Sequence, residues 1–192
     1  LCLGTMTWGS QNSQLDANRQ IEISIDHGIN FLDTAEMYPT TPISSKTQGD
    51  TERIIGNWLQ ETKKRSEIIL ATKITGKGFK AIRNGDPISV SYLRSALEGS
   101  LKRLKTDYID LYQLHWANRG SYHFRQNWNY DPSGQEKELD QMYNILSELN
   151  KFVKEGIVRT IGLSNETAWG TIQFSNIAKE NNFPEIVTLQ NE

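Results

Sequence analysis

Short apolar runs alternate with segments of helical period along the whole chain, and this alternation constrains the fold more than any other feature. The runs are Leu1–Thr5, Ile29–Leu32, Ile68–Thr72, Tyr108–Leu114, Val158–Leu163 and Ile186–Leu189, most of them near-continuous in aliphatic and aromatic residues. Strands buried on both faces read this way, as those of parallel sheets do. Between them lie apolar stripes at spacings of three and four. Ala17, Ile21 and Ile25 form the first, with Gly28 placed to stop it. Ile54, Ile55, Trp58 and Leu59 form the second, and Leu93, Leu97, Leu101 and Leu104 the third, begun through Ser89 and Ser91. Leu139, Met142, Tyr143, Leu146, Leu149 and Val153 form the longest, stopped by Gly156. The last is expected to start at Ser164-Asn165, good capping residues, and to include Trp169, Ile172 and Ile177.

Six strands and five helices in alternation predict βαβ units with right-handed crossovers and a parallel sheet, in one domain over residues 1–192. A doubly wound open sheet and part of an eight-stranded βα barrel both satisfy the pattern. The doubly wound reading expects Gly-x-Gly-x-x-Gly after the first strand. The chain has Gly4-Thr5-Met6-Thr7-Trp8-Gly9 there, and it contains no Gly-Lys-Ser or Gly-Lys-Thr. Three long connections remain, Pro39–Asp50, Gly76–Ser89 and the aromatic-rich Ala117–Glu138; loops of that length usually carry function.

Composition narrows the partners. Lys and Arg number 21 against 23 Asp and Glu, a net charge of -2. That balance argues against a nucleic-acid or membrane-surface binder. The single Cys2 allows no internal disulfide, is expected to lie buried in the first strand, and fits a reducing, cytoplasmic compartment. No apolar run approaches the roughly 20 residues that span a bilayer, and no signal peptide is evident. With three histidines and one cysteine, none at ligand spacing, no metal site is expected. The chain opens on a strand-like Leu1-Cys2-Leu3-Gly4 without methionine and closes just after another strand-like run, so we read it as part of a longer barrel.

In a barrel, functional groups gather at the C-terminal ends of the strands. Each predicted strand delivers polar groups there: Thr5; Asp33 and Thr34, with Tyr38 beyond; Thr72 and Lys73; His115, beside Trp116; Ser164 and Asn165; Gln190 and Asn191. Asp33, Tyr38, Lys73 and His115 make a proton-transfer set. A tyrosine titrates near 10, too high for easy exchange at neutral pH. A neighbouring lysine cation is expected to lower that value, with Asp33 as its counter-ion. The histidine can orient a carbonyl oxygen. Taken singly, each of these residues has an ordinary structural explanation; Ser and Asn, for example, cap helices routinely.

These residues also carry a resemblance. The segment Gly28–Tyr38, with its Asp33-Thr34-Ala35 and Tyr38, resembles the aldo-keto reductase signature. Tyr108–Trp116 resembles the family's fourth-strand motif, Gly156–Asn165 its fifth, and Ala71-Thr72-Lys73 supplies its lysine. The branch it most resembles is the bacterial one related to potassium-channel beta subunits. The resemblance implies an eight-stranded TIM barrel, incomplete here, with about six of the eight βα strands present. The last two βα units and the N-terminal hairpin would be absent. It implies NADPH-dependent reduction of an aldehyde or ketone, NADP(H) being the cofactor. Tyr38 would be the general acid, Lys73 and Asp33 the pair that tunes it, and His115 the residue that orients the carbonyl. Ser164, Asn165 and Gln190 would hold the nicotinamide carboxamide, with Thr5 and Asp33 near its ribose. Trp8, Trp116 and the Ala117–Glu138 loop would shape the pocket for a small-molecule carbonyl substrate. A non-catalytic, cofactor-sensing or partner-binding barrel is the alternative. Six strands alone would leave edges exposed, so weak cofactor binding and self-association through those edges are also expected.

Overall fold

The computed structural model describes all 192 residues. Six strands, β1 (Leu3–Gly4), β2 (Phe31–Asp33), β3 (Ile69–Ile74), β4 (Ile109–Leu114), β5 (Val158–Ser164) and β6 (Ile186–Gln190), form one sheet. Five helices alternate with them: α1 (Gln14–Asp26), α2 (Asp50–Thr62), α3 (Val90–Leu104), α4 (Leu139–Lys154) and α5 (Ala168–Glu180). Every pairing is parallel and the spatial order equals the chain order. A doubly wound sheet reverses its strand order at a switch point; this sheet never does, which decides for the barrel architecture. The sheet is also curled. Strands β2 and β6 are four spacings apart, which on a flat sheet is roughly 19 Å. Yet the Gln190 amide on β6 donates to Asp33 on β2 at 3.2 Å. Only a sheet rolled about its strand axis brings those residues together.

The helices pack their apolar stripes on the convex face. Trp58, Ile55, Leu93, Leu97, Leu146 and Phe152 are buried there against Leu70, Ile74, Tyr112 and Ile161. Truncating such a leucine to alanine costs about 2–5 kcal/mol. Gly56 permits the close approach of α2 to the end of α3, because a Cβ there would overlap the Arg103 carbonyl oxygen. No helix is long and apolar enough to cross a membrane.

Three expectations change. Strand β1 is only Leu3–Gly4, and Cys2 lies outside it and is exposed rather than buried. Helix α5 starts after Thr167, whose hydroxyl accepts from the Gly170 N–H, and not at Ser164-Asn165. Asn165 sits instead in the left-handed region, at φ 49°, turning the chain between strand and helix. Other strand ends move by at most two residues, where the deciding backbone hydrogen bonds are invisible in side-chain pattern.

Candidate active site

Side chains alternate across each strand, and the concave face takes the polar set. Asp33 on β2, Lys73 on β3, Gln113 on β4 and Gln190 on β6 meet there. Lys73 Nζ donates to Asp33 Oδ2 at 2.7 Å and to the Thr34 carbonyl at 2.9 Å. Gln113 donates to Asp33 Oδ1 at 3.4 Å and to Gln190 Oε1 at 3.2 Å. Thr5 is buried after β1 and its hydroxyl donates to the Asp33 carbonyl at 2.8 Å. Sequence reasoning missed Gln113. Its one signal was its position two residues before His115, hence on the same face of the strand.

Tyr38 stands on the turn after β2, its N–H bonded to the Ala35 carbonyl and its carbonyl to the Gly49 N–H. Lys73 Nζ lies 5.0 Å from the Tyr38 ring centroid, and the His115 ring lies 5.7 Å from it in an edge-to-face arrangement. An ammonium has three protons. Two are used on Asp33 and Thr34, and the third makes no hydrogen bond. Burial first, and then the negative charge of Asp33, push the Tyr38 phenol well above its ordinary value. The expected lowering by Lys73 is not found in the resting site: burial of the phenol dominates and Asp33 adds to the rise. Tyr38 therefore holds its proton as a neutral acid. Burial pulls the Lys73 ammonium below its ordinary value while Asp33 pulls it up. Burial, then Lys73, holds His115 well below 6.5, so the imidazole is neutral. Its Nδ1 is buried without a partner. From that network we assign the ring's single proton to Nε2, since an orphaned lone pair costs less than an orphaned N–H.

These groups open on a cleft of about 890 Å³, whose wall includes Tyr38, His115, Phe79, Trp116, Phe124 and Met6. Trp116 lies flat over Gly76, where any Cβ would strike its ring, and its indole N–H donates to the Lys77 carbonyl at 2.9 Å. Trp8 does not reach this wall. It is buried in the core, and its indole N–H is satisfied by Gln20 at 2.8 Å. His123 is buried, its Nε2 3.3 Å from the Glu166 carbonyl oxygen.

Beside the cluster, at the end of β5, the Asn165 amide donates to the His115 carbonyl at 3.1 Å and to Ser164 Oγ at 3.0 Å. Asn165 Oδ1 is buried with no partner. Ser164 Oγ accepts from Asn165 and keeps its own proton to give. An orphaned acceptor beside an uncommitted hydroxyl matches a carboxamide, which needs both, so these residues fit a nicotinamide amide. Gln190 is committed to Asp33 and Gln113, and acts on the cluster.

Known proteins resemble the chain along essentially its whole length. The chain is 41% identical over 195 residues to Protein tas of Escherichia coli (strain K12), covering 100% of the chain and 55% of that protein. It is 34% identical over 199 residues to the uncharacterized oxidoreductase YrpG of Bacillus subtilis, covering 100% of the chain and 53% of that protein. It is 29% identical over 204 residues to norsolorinic acid reductase B of Aspergillus parasiticus, covering 99% of the chain and 46% of that protein. The chain thus spans about half the length of the curated relatives it matches. The model of the aldo/keto reductase family matches residues 1–192, and the chain belongs to that family.

Proposed function

We propose that the protein containing this chain reduces an aldehyde or ketone to an alcohol, using NADPH, with Tyr38 as the general acid. The observation that carries this reading is the buried Asp33–Lys73 pair set against a protonated Tyr38, with a neutral His115 edge-to-face with the same ring. Ser164 and Asn165 would hold the carboxamide of the cofactor at the end of β5. The bound dihydronicotinamide supplies a hydride to the carbonyl carbon.

The chain's own groups manage the oxygen. The substrate carbonyl sits in the cleft with its oxygen between Tyr38 and His115. His115 Nε2–H donates a hydrogen bond that orients and polarises it. Tyr38 gives up its phenolic proton as negative charge grows on that oxygen, and the Lys73 ammonium stabilises the phenolate left behind. Asp33, braced by Gln113 and Gln190, keeps Lys73 cationic in a site that would otherwise discharge it. General acid help of this kind contributes roughly 10²–10⁴-fold. Trp116, Phe79 and Phe124 line the cleft and favour apolar, ring-containing carbonyl compounds. The Aspergillus relative is named as a reductase, which supports the reaction class.

The test is NADPH consumption with an aromatic aldehyde, run beside Tyr38→Phe. The variant is expected to lose turnover and still bind NADPH, read as quenching of tryptophan emission. Equal turnover in the variant would overturn the role of Tyr38. Tight cofactor binding with no turnover in the unmodified protein would favour the binding-subunit alternative.

A further inference from the structure

We infer that Glu36 and Arg83 are positioning residues for Tyr38, clamping the loop after β3 onto the turn that carries the phenol; this rests on the proposed role of Tyr38. Glu36 is two residues before Tyr38 and buried. Both its carboxylate oxygens are engaged across a separation of about forty residues. Oε1 accepts from Arg83 Nη1 at 2.6 Å. Oε2 accepts from Arg83 Nη2 at 3.1 Å and from the Thr75 N–H at 2.9 Å. Arg83 Nη2 also donates to the Thr75 carbonyl at 2.8 Å. Such a two-pronged contact fixes direction as well as distance, which a lysine in that place would not do.

The loop pays visibly in conformation for this contact. Arg83 and Asn84 both hold positive φ, 46° and 55°, a region that non-glycine residues adopt only when their surroundings compel them. What the clamp encloses explains it. Ala35, Met37 and Ile82 form a small apolar cluster separate from the main core, with Tyr38, Phe79 and Trp116 packed on it. Ile82 and Phe79 come from the clamped loop, and Ala35 and Met37 flank Glu36. Releasing the clamp would let the loop lift, wet this cluster and loosen one side of the phenol. No side chain of the Asp33–Lys73 pair or the Ser164–Asn165 shelf is hydrogen-bonded to the Glu36 or Arg83 side chain, and the one link, Glu36 N–H to the Lys73 carbonyl at 3.1 Å, is backbone and survives either substitution, so cofactor binding should not follow.

The charged and titratable groups facing Tyr38 are Asp33, Lys73 and His115, and the side chains of the clamp bond to none of theirs. Its loss should therefore reach the phenol through hydration alone. The experiment is Glu36→Gln and, separately, Arg83→Met, with Arg83→Lys as the conservative variant, each checked for native circular dichroism. We expect kcat to fall between roughly tenfold and a hundredfold, as a small misplacement of a catalytic group does. The cofactor Kd should stay within about twofold. The phenolate of Tyr38, read as the ultraviolet difference against Tyr38→Phe, should appear at lower pH than in the unmodified protein. Arg83→Lys should recover only part of the loss, because it cannot hold both Glu36 oxygens. The absorbance readout needs no turnover, so it separates failure of the clamp from failure of the reductase reading. Folded variants with unchanged kcat and unchanged phenol titration would overturn the inference. If Glu36→Gln does not fold, Arg83→Met, on a surface loop, decides by the same two readouts. If that variant also unfolds, the pair is a stability element and the positioning role is refuted.

Discussion

The two ends of the strands each hold a buried carboxylate with basic partners, and they are built to opposite rules. At the N-terminal end Asp110 binds Arg65 at 2.8 Å, Arg159 at 2.9 Å and the Leu70 N–H at 2.9 Å. The Tyr108 ring lies between those two guanidiniums, 3.8 and 4.1 Å from its centroid. Arg65 also reaches the Ile68 and Tyr108 carbonyls, and no side-chain polar atom of Arg65, Asp110 or Arg159 is left buried without a partner. At the C-terminal end Asp33 and Lys73 are also paired, yet His115 Nδ1 and Asn165 Oδ1 beside them are buried and unmatched. A closed network stabilises a sheet. An incompletely satisfied one costs stability and waits for a ligand. The difference separates what holds the strands together from what those strands were arranged to present.

The comparison can be broken most severely through the chemistry. Tyr38→Phe should lower kcat by about 10²–10⁴-fold with no loss of thermal stability, read by steady-state rates and a melting curve. Asp110→Ala should do the reverse. It leaves two guanidiniums facing no carboxylate and should cost about 3–5 kcal/mol in urea unfolding, while activity per folded molecule persists. The sharpest contrast is the double replacement Asp33→Asn with Lys73→Met. Removing both charges of a buried pair is often neutral or stabilising by about 1–4 kcal/mol, so the melting temperature should hold or rise as turnover disappears. If this double variant is as unstable as Asp110→Ala, the two ends are not different in kind.

Acid sharpens the contrast further. His115 is held neutral, well below its unfolded value of 6.5. Below that pH the unfolded chain binds a proton that the native state refuses, so stability falls as pH falls. The slope is about 1.4 kcal/mol per pH unit, and it should flatten in His115→Asn when urea midpoints are compared across pH. The smallest effect tests whether everything at the C-terminal end is functional. Ser13 caps α1 reciprocally with Asp16. Ser13→Ala should cost about 1 kcal/mol and leave kcat unchanged.

Several elements could be read without coordinates, for definite reasons. Helix faces follow from the 3.6-residue period, and Ile21, Trp58, Leu97 and Leu146 lie where their spacing places them. The set Asp33, Tyr38, Lys73 and His115 was visible because each falls at a predicted strand end and the barrel sends those ends to one place. Trp8 misled because an aromatic just past a strand end reads as pocket wall. Whether an indole is core or wall depends on a distant partner, here Gln20, that spacing does not reveal. Gln113 was hidden by its apolar surroundings, and the Glu36–Arg83 contact by the length of chain between its members.

The sequence by itself determined the alternation of strand and helix, the parallel sheet and which residues form the candidate proton-transfer set. These are local properties, set by side-chain period and by which residues end each strand. Only the tertiary structure decided the curl that brings β2 to β6, the sign of the shift at Tyr38 and the clamp around it. Those depend on distances between residues far apart in the chain. Burial and Coulomb interaction act through space, and a sequence orders its residues along a line.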